Sequence, residues 1–263
     1  MTHAGTNANP TRMQVDLSGK VAVVTGGARD IGRAASLELA RNGAAVVVNY
    51  NSSVDRARAL CDEIRAAGGR AVAVKADVTK SDDIKRLAEE ASAAFGRIHI
   101  LVNNAGGLLA RKALGEMDMA FWDEVMHLNL RSVAFVTQAL LPHMADGGAI
   151  VNLSSLAARD GGGPGSTAYA AAKGGVLTLT RGLSKELASR KIRVNCVSPG
   201  MIDTTFHDTF TKPEARKATA ARTTIGREGT SNDVANAIVF LASDASSYIN
   251  GESIEINGGL YYI

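Results

Sequence analysis

The strongest constraint on this chain is the alternation of short apolar segments with amphipathic helical patterns. Seven segments are rich in valine, isoleucine and alanine, the composition of parallel strands that are buried on both faces. Between several of them apolar residues recur at helical spacing, as in 31–42, 54–67, 81–95 and 231–243. This alternation predicts an α/β fold with a doubly wound, seven-stranded parallel sheet and helices on both faces. The predicted strands are 21–24, 45–48, 71–74, 98–102, 149–153, 192–197 and 253–256.

The chain is long enough for one large domain, because 46 % of its 263 residues are apolar and no linker interrupts it. We expect a flexible N-terminal tail over 1–16 and a single domain over 17–263. Charges of both signs are interspersed, which gives no basic stripe for nucleic acid, and no apolar run is long enough for a membrane span. Cys61 and Cys196 lack metal-ligand spacing, and the tail lacks the apolar core of a secretion signal. We therefore predict a cytoplasmic protein without a metal site.

The segment from about Thr204 to Thr224 breaks the alternation. It is longer than an ordinary connection, and it contains Phe206 and Phe210 followed by a polar helical pattern. It comes after the sixth predicted strand, and open α/β sheets bind ligands beyond the carboxyl ends of their strands. These features predict a helical substrate lid over about 204–224. A surface used for subunit packing is the alternative.

The first predicted strand runs into a glycine-rich turn, Thr25–Gly32, which is followed by a helix. Strand, glycine turn and helix in this order predict a Rossmann fold, in which a dinucleotide pyrophosphate lies at the helix N-terminus. Gly26 permits the turn, and Gly32 lets the helix approach the strand. Asp30 stands where glycine would be easier. Because aspartate tolerates left-handed backbone and can cap a helix, we expect Asp30 to be a cap that also affects cofactor affinity.

The residues after the second predicted strand decide between NADPH and NADH. A carboxylate there would bind the ribose 2′-hydroxyl of NADH, but the chain has Asn49–Ser53 without an acid. Arg29, in the glycine turn, is placed for a 2′-phosphate, which arginine binds through paired hydrogen bonds. Pairing of Arg29 with Asp30 or with solvent is the alternative. We predict NADPH as the preferred cofactor and NADH as the second choice.

Tyr169 and Lys173 stand four residues apart in a predicted helix and therefore share one face. An ammonium beside a phenol favours the phenolate, which would lower the tyrosine pKa from about 10 toward working pH. Such a phenol can give a proton to a carbonyl oxygen and take it back. Ser154 and Ser155 end the fifth predicted strand a short way upstream. On its own, the pair could equally be a surface tyrosine and lysine on one helical turn.

Taken together, these motifs resemble the classical short-chain dehydrogenases/reductases over about Leu17 to Ile263. The family likeness implies a nucleotide-binding half over 17–107 and a catalytic half over 108–263. Asp30 departs from the family pattern because it replaces the middle glycine of the turn. The motifs that carry the likeness, in chain order, are the glycine turn, Asn103–Gly106, Asn129, Ser155, Tyr169-x-x-x-Lys173 and Pro199–Gly200.

The resemblance implies a role for each matched residue. Tyr169 would be the general acid in reduction, and Lys173 would lower its pKa and hold the nicotinamide ribose. Ser155, rather than Ser154, would hydrogen-bond the substrate carbonyl, and Asn129 would hold a water in a proton relay. With the residues already discussed, the expected cofactor contacts are Gly26, Arg29, Asp30, Ile31, Gly32, Asn49, Tyr50, Asn51, Ser52, Asp77, Val78, Asn104, Ala105, Gly106, Tyr169, Lys173, Pro199, Gly200, Ile202 and Thr204.

The substrate would be a small carbonyl compound. Arg111, Arg159 and His207 lie in segments expected at the mouth of the site, where the arginines would suit a carboxylate. Two segments, 159–165 and 206–214, resemble those of reductases that convert 4-deoxy-L-erythro-5-hexoseulose uronate, from alginate breakdown, to 2-keto-3-deoxygluconate. The main alternative is a 3-oxoacyl-[acyl-carrier-protein] reductase, which the general pattern and the residues after the second strand also fit. A non-catalytic nucleotide-binding module of the same fold is a remoter alternative.

The resemblance also implies a homotetramer. Family members usually pair long helices across two-fold axes, and here these helices would begin near Ala120 and Thr167. The C-terminal residues 257–263 end apolar, so they need cover from a neighbouring subunit or from their own core.

Overall fold

The computed structural model describes residues 15–263, and seven parallel strands in this range form one sheet. The strands are β1 (Val21–Val24), β2 (Ala45–Tyr50), β3 (Arg70–Lys75), β4 (Ile98–Asn103), β5 (Met144–Leu153), β6 (Arg193–Pro199) and β7 (Ser253–Ile256). Their order in the sheet is β3-β2-β1-β4-β5-β6-β7. The predicted Rossmann fold with a seven-stranded parallel sheet is therefore confirmed.

The helices follow the predicted alternation. They are α1 (Asp30–Arg41), α2 (Val54–Ala66), α3 (Ser81–Phe95), α4 (Met119–Met126), α5 (Ser132–Leu140), α6 (Ala157–Asp160), α7 (Thr167–Glu186), α8 (Thr205–Phe210), α9 (Pro213–Arg222) and α10 (Ser231–Ala242). A π-helical turn, His127–Arg131, joins α4 to α5. Within residues 15–263, no helix is both long enough and apolar enough to cross a bilayer.

The core lies in two layers because side chains of a strand alternate between the faces of the sheet. In β1, Ala22 and Val24 point into one layer with α1, α2 and α10, whereas Val21 and Val23 point into the other with α3 and α5. All four β1 residues are buried, and each fully buried valine contributes about 1.5–3 kcal/mol to stability. The doubly wound arrangement follows directly from this two-sided burial.

Most of the predicted N-terminal tail, residues 1–14, lies outside the described residues. Its last part is attached to the domain. The Val15 N–H donates to Asn42 Oδ1 at 2.8 Å, and Asp16 Oδ1 accepts from the Ser18 N–H at the same distance. Val15 and Asp16 are thus joined by hydrogen bonds to residues of the predicted domain.

Residues 204–224 form α8 and α9, as the helical pattern predicted, and one arginine fixes them to the body. Arg216 of α9 pairs with Asp208 of α8, with Asp203 before α8, and with Glu228 beyond α9. These carboxylates raise the pKa of Arg216, so it stays charged throughout the accessible pH range. The segment 204–224 is thus held together as one unit.

Candidate active site

Ser155 and Tyr169 come together where β5 ends and α7 begins. The Ser155 hydroxyl lies close enough to the Tyr169 phenol to act on its pKa, and Ser155 Oγ accepts from the Ala157 N–H at 3.2 Å. Ser154 points elsewhere, because its buried Oγ donates to the Lys173 carbonyl oxygen at 2.9 Å. The geometry therefore favours Ser155 over Ser154 as the hydroxyl that faces a ligand.

Lys173 lies one turn after Tyr169 and is buried, with 3 % of its surface exposed. Its Nζ donates to the Leu153 carbonyl oxygen at 2.8 Å and lies 5.7 Å from the centroid of the Tyr169 ring. Burial lowers the pKa of Lys173 to about 8, because an ammonium loses solvation in this setting. At neutral pH the lysine is still mostly charged.

The expected lowering of the Tyr169 pKa is wrong for this structure. Burial raises the pKa of Tyr169, and the Ser155 hydroxyl offsets only part of that effect. As pH rises, Lys173 loses its charge before the phenol ionises, because its own pKa is about 8. At neutral pH the site therefore contains a phenol beside an ammonium, which is the proton-donating state needed to reduce a carbonyl.

Asn129 is fully buried in the π-helical turn, and its side chain forms hydrogen bonds with backbone groups. Its Nδ2 donates to the carbonyl oxygens of Gly107 and Val125, both at 2.9 Å, and its Oδ1 accepts from the Gly107 N–H at 2.9 Å. Both side-chain N–H groups are thus engaged with backbone carbonyl oxygens. Through these bonds Asn129 fixes the loop after β4 beside Lys173.

The loop after β4 approaches Asn129 and Lys173 so closely that it needs glycine. A Cβ on Gly106 would lie 2.8 Å from Asn129 Oδ1 and 3.1 Å from Lys173 Nζ. Asn104, in the same loop, donates from Nδ2 to the carbonyl oxygens of Thr25 and Gly26 at 2.9 and 3.1 Å. The loop therefore connects the glycine turn to Asn129 and Lys173.

The glycine turn has the shape that a dinucleotide requires. Gly26 has a φ of +59°, which lies in the left-handed region that favours glycine. A Cβ on Gly32 would collide with the Gly26 carbonyl oxygen and lie 2.6 Å from Asn104 Nδ2. The first turn of α1 thus presents bare backbone toward the sheet edge, which fits a pyrophosphate at a helix N-terminus.

Asn49 does not reach toward a ligand, which corrects its predicted role as a cofactor contact. It is 1 % exposed, and its Nδ2 donates to the carbonyl oxygens of Val74 and Ala76. Its Oδ1 accepts from the Gly26 N–H at 3.2 Å. Asn49 therefore links the ends of β2 and β3 to the glycine turn. Tyr50, Asn51 and Ser52 follow it at the carboxyl end of β2, with Asn51 and Ser52 exposed.

The other expected cofactor residues lie at the carboxyl ends of strands. Asp77, after β3, accepts from the N–H and hydroxyl of Thr79 through Oδ1, which is a turn contact, and Val78 beside it is buried. The remaining expected cofactor residues lie at or just after the ends of β1, β4 and β6, along the same sheet edge. They are Ile31, Ala105, Pro199, Gly200, Ile202 and Thr204. Of these, Ile202 and Thr204 are buried.

Asp30 does not cap α1, which corrects the sequence-based expectation. The residue at the N-cap position is Arg29, and no side chain caps this helix. Asp30 has a φ of +50°, and its carboxylate accepts two hydrogen bonds from Thr205 at the start of α8. Arg29 Nε lies 3.9 Å from Asp30 Oδ2, so the alternative pairing of these residues is also present.

A depression of about 350 Å³ lies beside the glycine turn and is lined by three arginines, Arg29, Arg33 and Arg56. Arg33 is paired with Glu63, whereas Arg56 is exposed at the start of α2. Arginine binds phosphate through several directed N–H groups, so these residues fit a 2′-phosphate. Sequence reasoning missed Arg56, although its place six residues after the end of β2 was a readable signal.

Two of the three predicted substrate residues are arginines, and both have internal partners. Arg159 donates from Nε and Nη2 to Glu255 Oε1 at 3.1 and 3.0 Å, and only 15 % of its side chain is exposed. Arg111 donates to the carbonyl oxygens of Pro164 and Phe210 at 2.9 and 3.2 Å, which connects the glycine-rich loop to α8. Arg159 is therefore a structural residue, while Arg111 is exposed at the mouth.

The third residue, His207, belongs to an aromatic group on α8. Its Nδ1 lies 2.9 Å from Thr211 Oγ1, and burial lowers the pKa of its imidazole, which stays neutral at pH 7. The Phe206 ring lies 5.0 Å from the His207 ring and 5.9 Å from the Tyr169 ring, centroid to centroid. Phe206, which was not predicted as a site residue, thus brings the 204–224 segment against the phenol.

Comparison with known proteins agrees with this geometry. The family model described as enoyl-(acyl carrier protein) reductase matches residues 26–261. The chain is 40 % identical over 244 residues to the 3-oxoacyl-[acyl-carrier-protein] reductase FabG of Staphylococcus aureus, a match that covers 92 % of this chain and 98 % of that protein. A dehydrogenase/reductase structure from Sinorhizobium meliloti aligns with a TM-score of 0.90 at 36 % identity, covering 95 % of this chain and 98 % of the other.

A blue fluorescent protein from a metagenomic library, solved in complex with NADPH, aligns with a TM-score of 0.88 at 37 % identity and covers 94 % of this chain and 100 % of its own. Together with the hydroxyl, phenol and ammonium at the sheet edge, these matches define the class. The chain belongs to the short-chain dehydrogenase/reductase family. Like the other members of that family, it is an oxidoreductase.

Proposed function

We propose that this protein uses NADPH, in preference to NADH, to reduce the 3-oxo group of a 3-oxoacyl thioester. The observation that carries the proposal is the Ser155 hydroxyl beside the Tyr169 phenol, with the apolar ring of Phe206 5.9 Å from the Tyr169 ring. This arrangement offers a carbonyl oxygen two hydrogen-bonding hydroxyls and offers the neighbouring chain an apolar surface. Similarity to a 3-oxoacyl-[acyl-carrier-protein] reductase over most of the chain supports the same substrate class.

The proposed reaction uses the charge state of the site at neutral pH. Bound NADPH would supply the hydride. Ser155 and Tyr169 would hydrogen-bond the carbonyl oxygen, and Tyr169 would donate its proton as negative charge develops there. The Lys173 ammonium would then stabilise the phenolate that remains. Asn129 would act as a positioning residue through its bonds to Gly107.

The cofactor preference rests on charge. Arg29 and Arg56 line the depression beside the glycine turn, and the segment Asn49–Ser53 at the end of β2 has no acid to bind a ribose 2′-hydroxyl. A 2′-phosphate carries negative charge and acceptor oxygens that suit guanidinium groups. The residues of this depression therefore favour NADPH.

The 204–224 segment, whose Phe206 ring faces Tyr169, would serve as the lid of the substrate site.

A keto-uronate is the second candidate substrate, and Arg111 is the observation that favours it. Within the described residues, the Arg111 guanidinium bonds only to carbonyl oxygens and has no carboxylate partner. Its positive charge at the mouth therefore remains available to an acidic sugar. Arg159 offers no such charge because Glu255 pairs with it.

A rate comparison tests the two candidates. Reduction of an acetoacetyl thioester and of 4-deoxy-L-erythro-5-hexoseulose uronate would be followed with NADPH and with NADH. The proposal expects kcat/KM to be highest for the thioester with NADPH, and Arg111→Met to lower it by less than about threefold. Turnover of the uronate alone, lost in Arg111→Met, would overturn the thioester proposal. The Tyr169→Phe variant gives the background rate for both substrates.

We also propose that the protein is a homotetramer. Two of the helices expected at its interfaces are present as α4 and α7. Met119 of α4 and Phe135 of α5 expose 84 % and 45 % of their surfaces, so each offers apolar area that an interface could cover. Light scattering at several protein concentrations would test the assembly, and a monomer mass at all of them would remove the proposal.

A further inference from the structure

Asp30 and Thr205 are 175 positions apart in the chain and are joined by two hydrogen bonds. The Thr205 N–H donates to Asp30 Oδ1 at 3.2 Å, and the Thr205 hydroxyl donates to Asp30 Oδ2 at 2.6 Å. Because the acceptor is a carboxylate, both bonds are charge-assisted. We call this pair of bonds the Asp30–Thr205 bridge.

The bridge crosses the crevice at the sheet edge. Asp30 follows β1 and Thr205 follows β6, and β4 and β5 lie between these strands in the sheet. A dinucleotide in a Rossmann fold occupies the crevice outside the carboxyl ends of the strands. The arginines that suit its adenosine end lie beside α1 and α2, and the catalytic phenol lies at the start of α7. The bridge therefore spans the path between the two ends of the cofactor.

The local conformation of Asp30 indicates what its side chain does. A φ of +50° is left-handed backbone, which glycine adopts most easily and aspartate tolerates. The carboxylate brings negative charge into a turn suited to pyrophosphate, and it does not cap α1. Its hydrogen bonds go to Thr205. Besides its 3.9 Å ion pair with Arg29, contact with α8 is thus what distinguishes Asp30 from a glycine at this position.

The bridge also bears on the lid. Phe206, next to Thr205, is the residue whose ring faces Tyr169. On its other side α8 is held by the pairing of Asp208 with Arg216. Within residues 15–263, the side-chain hydrogen bonds that join α8 to the nucleotide-binding half are the two of the bridge. Asp30 therefore connects the glycine turn to the residue that covers the phenol.

We infer that Asp30 is a positioning residue whose bridge to Thr205 holds the lid over the bound dinucleotide. Cofactor then enters and leaves when the bridge opens, so the bridge slows both steps. The inference rests on the proposed use of NADPH and adds to it a residue that sets how fast the cofactor exchanges. The bridge acts on the lid even when no cofactor is bound.

The first test is hydrogen exchange of the cofactor-free protein. Asp30→Gly removes the carboxylate at a backbone position that glycine adopts without strain, so the variant should fold. Thr205→Val removes the donor hydroxyl, and Thr209→Val is the matched control, because Thr209 Oγ1 bonds to the Thr205 carbonyl oxygen and not to Asp30. Amides of 205–210 should exchange about tenfold faster in Asp30→Gly and at the wild-type rate in Thr209→Val. Unchanged exchange in Asp30→Gly overturns the inference.

The second test is the rate of NADPH release, measured by stopped-flow fluorescence. Release should be about tenfold faster in Asp30→Gly and several-fold faster in Thr205→Val, with faster binding in both. The double variant should release NADPH no more than about twofold faster than Asp30→Gly alone, because both changes break one bridge. Slower release in Asp30→Gly with no change in Thr205→Val would mean that Asp30 acts only by its charge, which contradicts the inference.

The two proposals fail in different ways. If the protein does not use NADPH, the wild type gives no fluorescence change with it, whatever the lid does. If the bridge does not hold the lid, wild type and variants bind NADPH normally with equal rates. If the amides of 205–210 exchange faster in Asp30→Gly but the rate of NADPH release is unchanged, the bridge does not control cofactor exchange. That result would also overturn the inference.

Discussion

Replacing Lys173 by methionine should stabilise the fold at neutral pH. A pKa lowered by burial from 10.5 to about 8 means that holding the ammonium in the folded protein costs about 3 kcal/mol below pH 8. Methionine removes that cost and fills much of the same volume. It also removes the hydrogen bond to the Leu153 carbonyl oxygen, a loss of about 1 kcal/mol. The free energy of unfolding should therefore rise by about 2 kcal/mol at pH 7.

The pH dependence identifies the cause. Between pH 8 and 10.5 the unfolded wild type binds a proton that the folded protein has lost, so its stability rises with pH across this window. Lys173→Met lacks this pH-dependent contribution to the free energy of unfolding. The advantage of the variant should therefore shrink by about 2.5 kcal/mol between pH 7 and pH 10.

Urea unfolding at one fixed protein concentration, followed by circular dichroism at both pH values, measures the difference. Lys185→Met is a matched control, because Lys185 is exposed near the end of the same helix. It should change the free energy of unfolding by the same small amount at pH 7 and pH 10. A Lys173→Met variant that is less stable than the wild type at pH 7, or an advantage that is equal at both pH values, would refute the reasoning.

Four further predictions concern activity and cofactor binding. Tyr169→Phe should lower kcat by about a thousandfold, because the proton donor is lost, while the NADPH Kd measured by fluorescence titration changes by less than about twofold. As pH rises through about 8, Lys173 loses its charge and kcat/KM for reduction should fall; a profile that stays flat to pH 10 would contradict this. Gly32→Ala should weaken NADPH binding by at least about tenfold, because its Cβ would lie 2.6 Å from Asn104 Nδ2; an unchanged Kd in the same titration would count against the predicted turn. Arg56→Ala should raise the KM for NADPH about tenfold and the KM for NADH less than about twofold, as measured by steady-state kinetics. Equal changes in the two KM values would argue against a 2′-phosphate contact.

The strands could be predicted from the sequence because burial on both faces leaves a continuous apolar run. Val21–Val24 and Ser253–Ile256 were predicted to the residue, and β2 and β3 extend slightly beyond the predicted limits. Gly26 and Gly32 could also be placed, because a tight turn before a helix has few solutions. The serine and tyrosine that meet at the end of β5 follow from the same sheet topology.

The sequence could not give the directions of polar side chains that have a choice of partners. The Asn49 side chain donates to backbone carbonyl oxygens at the end of β3, and Arg159 pairs with Glu255, which is 96 positions away in the chain. Asp30 could be recognised as unusual, but its partner on α8 is set by tertiary structure. The Tyr169 pKa was mispredicted for a similar reason, because the extent of burial decides the sign and is not visible in the spacing to Lys173.

The three hydrogen bonds of Asn49 bear on how tightly a nucleotide can be held. They fix the turn after β1 against the ends of two neighbouring strands while the polypeptide folds. The conformational entropy of that region is therefore lost during folding, and little of it remains to be lost when the ligand arrives. A short polar side chain that touches no ligand thus raises affinity by making its binding surface rigid in advance.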